Sequence, residues 1–261
     1  MGINIPLRIW LIGGTSDSRQ VAQLLSDRHI PWIATVVTPT ARRLYQNLSG
    51  TGTIHVGKLT PERLPQWLRD QHITHILDAS HPFATAISHQ AIATGLPYLR
   101  YERPAIDLAP LTAQHPNLIT VPTWDDLFSQ ALQVQHTPKI LLTTGLKTLD
   151  RAIPLLSQAH WWARILPRSR DAAIALGFPA DHLLLERAPK TALPEQHLWE
   201  TLGIDTVLTK ASGHAGGLPQ KIEAAIALNT RLLIIQRPAL PYPQQTHHLQ
   251  QILDWLSTTP N

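Results

Sequence analysis

Cysteine is absent from this 261-residue chain. Its absence removes disulfides, thiol nucleophiles, iron–sulfur clusters and cysteine-built zinc sites together. Charge is sparse too: Lys, Arg, Asp and Glu make up 15% of the residues and leave a net charge of +4. The cations are scattered, unlike the clustered basic face of a nucleic-acid binder, so no nucleic-acid partner is expected. A modest positive balance suits an anionic small molecule. Long apolar runs are also missing. Stretches such as Leu232–Ile235 fall far short of the roughly 18 residues that span a bilayer, so no membrane partner is expected. No HExxH pattern occurs, and the nearest histidine pairs, His72/His75 and His247/His248, read as surface or strand-edge residues. No metal is expected. The opening Met1–Pro6 lacks a basic stretch followed by an apolar one, so a cytoplasmic protein without a signal peptide is the expectation.

What is present is an alternation of strand-like and helix-like patterns. Short β-rich runs read at 8–12, 32–37, 75–77, 97–101 and 118–121, then at 139–143, 161–166, 182–185, 205–209 and 231–236. Between them lie amphipathic stripes such as Val21, Leu24 and Leu25, or Leu64, Trp67 and Leu68 after a Thr60-Pro61 start. Continuous apolar strands separated by helices predict parallel sheets covered on both faces. A polar, proline-containing passage at Gln133–Pro138 precedes a fresh strand, and "KILLTTGLKT" repeats the form of "RIWLIGGTSD" near the amino end. The fold class is therefore α/β, as two parallel-sheet domains with a cleft between them, residues 1–135 and 136–261. In such sheets ligands bind beyond the carboxyl ends of the strands.

Those ends carry the motifs. In "LIGGTSDSR", Gly13 and Gly14 allow a tight turn that a phosphate can approach, and a helix start follows with hydroxyls at Thr15 and Ser16 and an acid at Asp17. A glycine turn that merely joins strand to helix is the plainer alternative. After the second strand, "TVVTPTARR" has no acid for a ribose hydroxyl but offers Thr38, Arg42 and Arg43, which tilts the choice towards NADP over NAD. A solvated helix face explains both arginines nearly as well. "DASHPF" ends the His75–Leu77 strand with Ser80 and His81, and Pro82 can start a helix over 83–94. A histidine there serves either a cofactor or simply the turn. In the second half, "TTG" (Thr143–Gly145) and "TKASGHAGG" (Thr209–Gly217) repeat small polar residues after a strand, with Lys210 and Ser212 beside a possible anion-binding concavity. Arg164, Arg168 and Arg170 lie in "ARILPRSR", where strand-end solvation is preferred for the last two.

"LIGGTSDSR", "DASHPFA", "LRYERP", "LLTTG", "ARILP", "VLTKASG" with "KIEAA", and "QRP", in this order, resemble the precorrin-6A reductase and cobalt-precorrin-6A reductase family of corrin (cobalamin) biosynthesis. The resemblance implies two Rossmann-like domains and an NADPH-dependent reduction of one double bond in a tetrapyrrole macrocycle, giving precorrin-6B. It implies cofactor contacts at Gly13, Gly14, Thr15, Ser16, Asp17, Thr38, Arg42, Ser80 and His81, with His81 also the candidate catalytic residue. Substrate contacts are expected at Arg103, Thr144, Gly145, Arg164, Lys210, Ser212, Gly213 and Lys221, suited to a polycarboxylate. Residues 1–135 become the NADP-binding domain and 136–261 the domain contributing substrate contacts. At Arg187–Lys190 the chain departs from the family's usual Gly-Pro-Phe. Two other readings are a generic NADP-dependent reductase and a non-catalytic NADP-binding module. The Tyr-x-x-x-Lys pair usual in short-chain reductases is missing from all four tyrosines.

Overall fold

The computed structural model describes residues 6–48, 50 and 52–259, so the reading of Met1–Ile5 lies outside the described residues. The chain forms two units, Met1–Pro104 with Pro238–Asn261, and Ala105–Arg237. In the first, the chain runs β1 (Ile9–Ile12), α1 (Ser16–Asp27), β2 (Trp32–Val36), α2 (Pro39–Arg42) and β3 (Gly52–Val56). It continues through α3 (Leu64–Asp70), β4 (His75–Asp78), α4 (Thr85–Ile92) and β5 (Tyr98–Tyr101), and ends with β12 (Gln245–Thr246) and α11 (Leu249–Thr258). The sheet order is β12-β5-β4-β1-β2-β3, and every pairing is parallel.

β1 shows why a continuous apolar run folds this way. Ile9 and Leu11 join a core containing Val21, Ala22 and Leu25 of α1 and Ile252 and Trp255 of α11. Trp10 and Ile12 join the opposite core, with Leu64 and Leu68 of α3 and Ala91 of α4. Alternate side chains leave opposite faces of a strand, so a strand covered on both sides must be apolar throughout. Each such buried aliphatic side chain contributes about 1.5–3 kcal/mol.

His75 interrupts that pattern at the start of β4. It is fully buried, its Nδ1 lies 3.0 Å from Thr74 Oγ1, and its ring meets Trp255 edge-on at 5.3 Å. Burial pushes its pKa down, against a backbone bond to Thr259 that favours the charged form. The folded protein therefore binds this proton less readily than the unfolded chain. Its contribution is fully present above the unfolded value, about 6.5, and is lost as pH falls below it. Urea unfolding of wild type and His75→Phe at pH 7.5 and 5.5 checks this. The loss on acidification is expected to be smaller in the variant.

The second unit contains α5 (Ala109–Gln114), β6 (Leu118–Val121), α6 (Trp124–Leu132), β7 (Lys139–Leu142), α7 (Leu149–Ala152) and β8 (His160–Ile165). It continues with α8 (Arg170–Ala175), β9 (Leu183–Leu185), α9 (Leu193–Leu202), β10 (Thr206–Lys210), α10 (Leu218–Leu228) and β11 (Arg231–Ile235). Its sheet, β6-β11-β10-β7-β8-β9, is also wholly parallel. No helix of the described residues is long and apolar enough to cross a membrane.

Two parallel-sheet α/β domains are thus present, but the boundary is not at 135/136. Leu118–Val121 pairs with Leu232–Ile235, and β12 pairs with β5, so α5 to α6 belong to the second unit and the carboxyl-terminal segment to the first. The chain passes between units at Pro104-Ala105 and again at Arg237-Pro238. Pairings more than a hundred residues apart leave no mark in local composition, which is why the polar passage at 133–138 misleads. Two strands absent from the sequence reading, β3 and β12, are edge strands. α3 begins at Leu64 rather than Pro61, because Thr60 O accepts the N–H groups of Arg63 and Leu64 in a preceding turn.

Candidate functional site at the strand carboxyl ends

β1 leads into a loop whose shape depends on Gly13 and Gly14. Gly14 has φ +97°, and a Cβ on Gly13 would lie 2.2 Å from the Tyr45 hydroxyl. That hydroxyl accepts the Gly14 N–H at 2.9 Å and lies 2.6 Å from Ser18 Oγ. Thr15 caps α1: its Oγ1 accepts the Ser18 N–H, and Ser18 Oγ accepts the Thr15 N–H, closing a capping box. Thr15 Oγ1 also lies 2.7 Å from Ala79 O, so the loop after β1 touches the turn after β4. The N–H groups of Ser16 and Asp17 belong to the first helical turn, which has no intrahelical acceptors. Arg103, leaving β5, closes on the same place. Its Nε donates to Asp17 Oδ2 at 2.9 Å, and its Nη2 reaches Ser16 Oγ at 3.0 Å and Asp17 Oδ1 at 2.5 Å.

A Gly13→Ala variant is expected to lose about 1–3 kcal/mol, because the methyl must displace Tyr45 and its bonds to Gly14 and Ser18. Combined with Tyr45→Phe, the loss is expected to fall below the sum of the single changes. Urea denaturation of the three variants measures this.

The turn after β4 is built on Asp78. This fully buried carboxylate accepts from Arg100 Nη1 at 2.8 Å, Tyr98 OH at 2.7 Å, Ser88 Oγ at 2.5 Å and the Ser80 N–H at 3.0 Å. Arg100, also fully buried, donates to Glu102 Oε2 from Nε and Nη2, and to Ser80 Oγ and O from Nη1 and Nη2. Burial alone would lower the Arg100 pKa, but Asp78 and Glu102 hold it above the ordinary value. Burial and the Asp78 charge raise that of Tyr98. Tyr242 stacks on Tyr98 with centroids 6.3 Å apart and lies 5.3 Å from the Arg100 guanidinium.

Ser80 is therefore buried and held by Arg100, whereas His81 is exposed. His81 Nδ1 accepts the Phe83 N–H at 3.2 Å, and His81 O accepts the Ala84 N–H at 2.7 Å. These bonds occupy residues 83–84 in a turn, so α4 starts at Thr85 instead of Phe83. With Nδ1 accepting, the neutral imidazole carries its proton on Nε2.

On the other side of β1, Thr38 follows β2 and caps α2 by accepting the Ala41 N–H at 3.3 Å. Arg42 and Arg43 follow, both exposed.

In the second unit, β7 leads into Thr144 and Gly145, and the adjacent β10 ends at Lys210 and leads into Ser212–Gly213. Thr144 is buried against Thr148, and Gly145 has φ +87° with open space at its Cβ position. Lys210 Nζ lies 5.6 Å from the centre of the Trp124 ring, and burial with nearby Lys147 lowers its pKa to about 8. Gly213 has φ +72°, and a Cβ on Gly216 would strike Ser212 Oγ at 1.9 Å.

Two expected substrate contacts turn inward. Arg164 is buried and bidentate on the fully buried Glu195, at 2.6 and 2.8 Å. Lys221, 2% exposed, donates to Gly216 O and Gly217 O and lies 3.9 Å from Glu195. Lys221 thereby braces the loop before α10 from inside, while Arg164 also meets the exposed Glu186, its Nε 3.1 Å from Oε1. The loop at Arg187–Lys190 lies against the same structure: Gln220 Nε2 donates to Lys190 O, and Ala188 blocks any Cβ on Gly217.

The residues missed from sequence are the buried ones: Tyr45, Asp78, Tyr98, Arg100, Glu102 and Glu195. One signal was available. Arg100 interrupts a four-residue apolar strand, and Glu102 follows at the spacing that returns to the same face.

Parallel sheets, with a glycine loop joining the first strand to its helix, define a Rossmann-like α/β protein. The chain belongs to the family described as "Precorrin-6x reductase CbiJ/CobK", whose model matches residues 8–257. It is 39% identical to a cobalt-precorrin-6A reductase of Synechocystis over 94% of both chains. It is 32% identical to one from Priestia megaterium, over 90% of this chain and 92% of that one. A solved structure of CobK precorrin-6A reductase superposes with a TM-score of 0.74 at 22% identity, covering 96% of each chain, and supports the fold.

Proposed function

We propose that this chain is an NADPH-dependent reductase of precorrin-6A or its cobalt form, adding hydride and a proton across one double bond to give precorrin-6B in cobalamin biosynthesis. The observation that carries this is the family match over nearly the whole chain. The residues at the first unit's strand ends fit a nicotinamide dinucleotide. Gly13 has no room for a Cβ, Gly14 needs a positive φ, and a helix start follows whose Ser16 and Asp17 N–H groups have no acceptor within the helix. Gly13 to Asp17 would hold the pyrophosphate, and Thr38 with Arg42 or Arg43 a ribose 2′-phosphate.

The bound cofactor would supply the hydride. The chain's own part is alignment and electrostatics. His81, with its proton on Nε2, offers a hydrogen-bond donor to the reacting end, and either His81 or water delivers the proton. Lys210, Ser212 and Gly213, beside Thr144 and Gly145, would take carboxylates of the macrocycle. A carboxylate next to Lys210 would raise its pKa again and keep it charged. As part of unit 1, Arg103 is better suited to the cofactor's end of the glycine loop than to the substrate.

Fluorescence titration with NADPH and NADH tests the cofactor assignment. Wild type is expected to prefer NADPH, and Arg42→Gln combined with Arg43→Gln to reduce that preference about tenfold or more. An unchanged preference removes the 2′-phosphate assignment, and no binding of either nucleotide defeats the reading.

A further inference from the structure

The guanidinium of Arg100 uses all five of its N–H groups inside the first unit, at zero exposure. Asp78 takes one and Glu102 two; the remaining two end on Ser80, on its hydroxyl and its carbonyl, both at 3.1 Å. Asp78 grips Ser80 from the other side by accepting its N–H at 3.0 Å. Ser80 is thus fixed at three points by two buried charges. The next residue is His81, and Pro82 after it keeps His81 out of the helical region. Two further bonds, from the Phe83 N–H to Nδ1 and from the Ala84 N–H to the carbonyl, complete the turn. The exposed imidazole is therefore carried on backbone that a buried ion network defines.

We propose that Arg100 is a positioning residue for His81: its double hold on Ser80 keeps the turn in the form in which Nδ1 accepts from Phe83 and the ring proton stays on Nε2. The catalytic consequence rests on the function proposed above, but the structural claim does not. Lysine cannot reproduce it, because one ammonium has three donors and no planar fork. Asp78 and Glu102 would retain a cation, while Ser80 would lose at least one of its two bonds.

The test compares Arg100→Lys and Ser80→Ala with wild type and with Ile204→Val, a core variant in the second unit. Long-range proton–nitrogen NMR of the ligand-free protein reads the His81 tautomer. Wild type and Ile204→Val are expected to show the proton on Nε2, and the two turn variants a mixture. In turnover, Arg100→Lys is expected to lower kcat on the order of tenfold to a hundredfold, with KM for NADPH held within about twofold. Ser80→Ala should move both readouts the same way by less. Folded variants with the wild-type His81 spectrum would overturn the proposal, and if Arg100→Lys does not fold, Ser80→Ala alone decides. Should wild type fail to oxidise NADPH, the proposed function falls, while the His81 spectra still decide the positioning role.

Discussion

An Asp78→Ala variant is expected to lose about 3–5 kcal/mol of folding stability, a large part of what a domain possesses. Four donors lose their acceptor at once: Arg100, Tyr98, Ser88 and the Ser80 backbone. Asp78 is fully buried, so water cannot replace the carboxylate without opening the unit. Asp78→Asn should lose less. Its amide oxygen can serve Arg100, and the hydroxyls of Ser88 and Tyr98 can rotate to accept. Urea denaturation followed by tryptophan fluorescence ranks the two. Equal and small losses would mean that the network contributes little.

Glu195→Ala is expected to be as damaging in the second unit, again by about 3–5 kcal/mol. The carboxylate is fully buried and takes both Nη groups of Arg164 and the Trp199 indole N–H at 3.1 Å. Lys221 is 3.9 Å away. Burial already lowers the Lys221 pKa to about 8, with Glu195 the influence that holds it up and Arg164 pushing it down further. Removing Glu195 leaves two buried cations facing each other, so the Lys221 pKa should drop again. The unfolded chain binds that proton more tightly than the folded one. The variant's stability should therefore recover as pH rises from about 8 towards the unfolded lysine value near 10.4. Urea unfolding of Glu195→Ala at pH 7.5 and 9.5 checks the sign.

These networks also explain what could be read from sequence. β1 and its glycine loop were legible because apolar continuity and glycine chemistry are local. The domain boundary was not legible, since β6 finds β11 and β12 finds β5 only in the folded chain. Arg164 looked like a ligand for substrate because a cation at a strand end usually meets solvent. Glu195, 31 residues later on α9, takes it into the core instead. "DASHPF" drew attention to Ser80 and His81, yet Asp78 is the residue on which the turn is built. Its partners Tyr98 and Arg100 come from the neighbouring strand, and sheet order rather than sequence spacing brings them there.

The central claim is reduction of a corrin precursor by NADPH. Anaerobic incubation of the purified protein with precorrin-6A, and separately with its cobalt form, tests it through the loss of NADPH absorbance. The account predicts oxidation of one NADPH per macrocycle with at least one of the two substrates. NADPH that binds but remains unoxidised with both would contradict it.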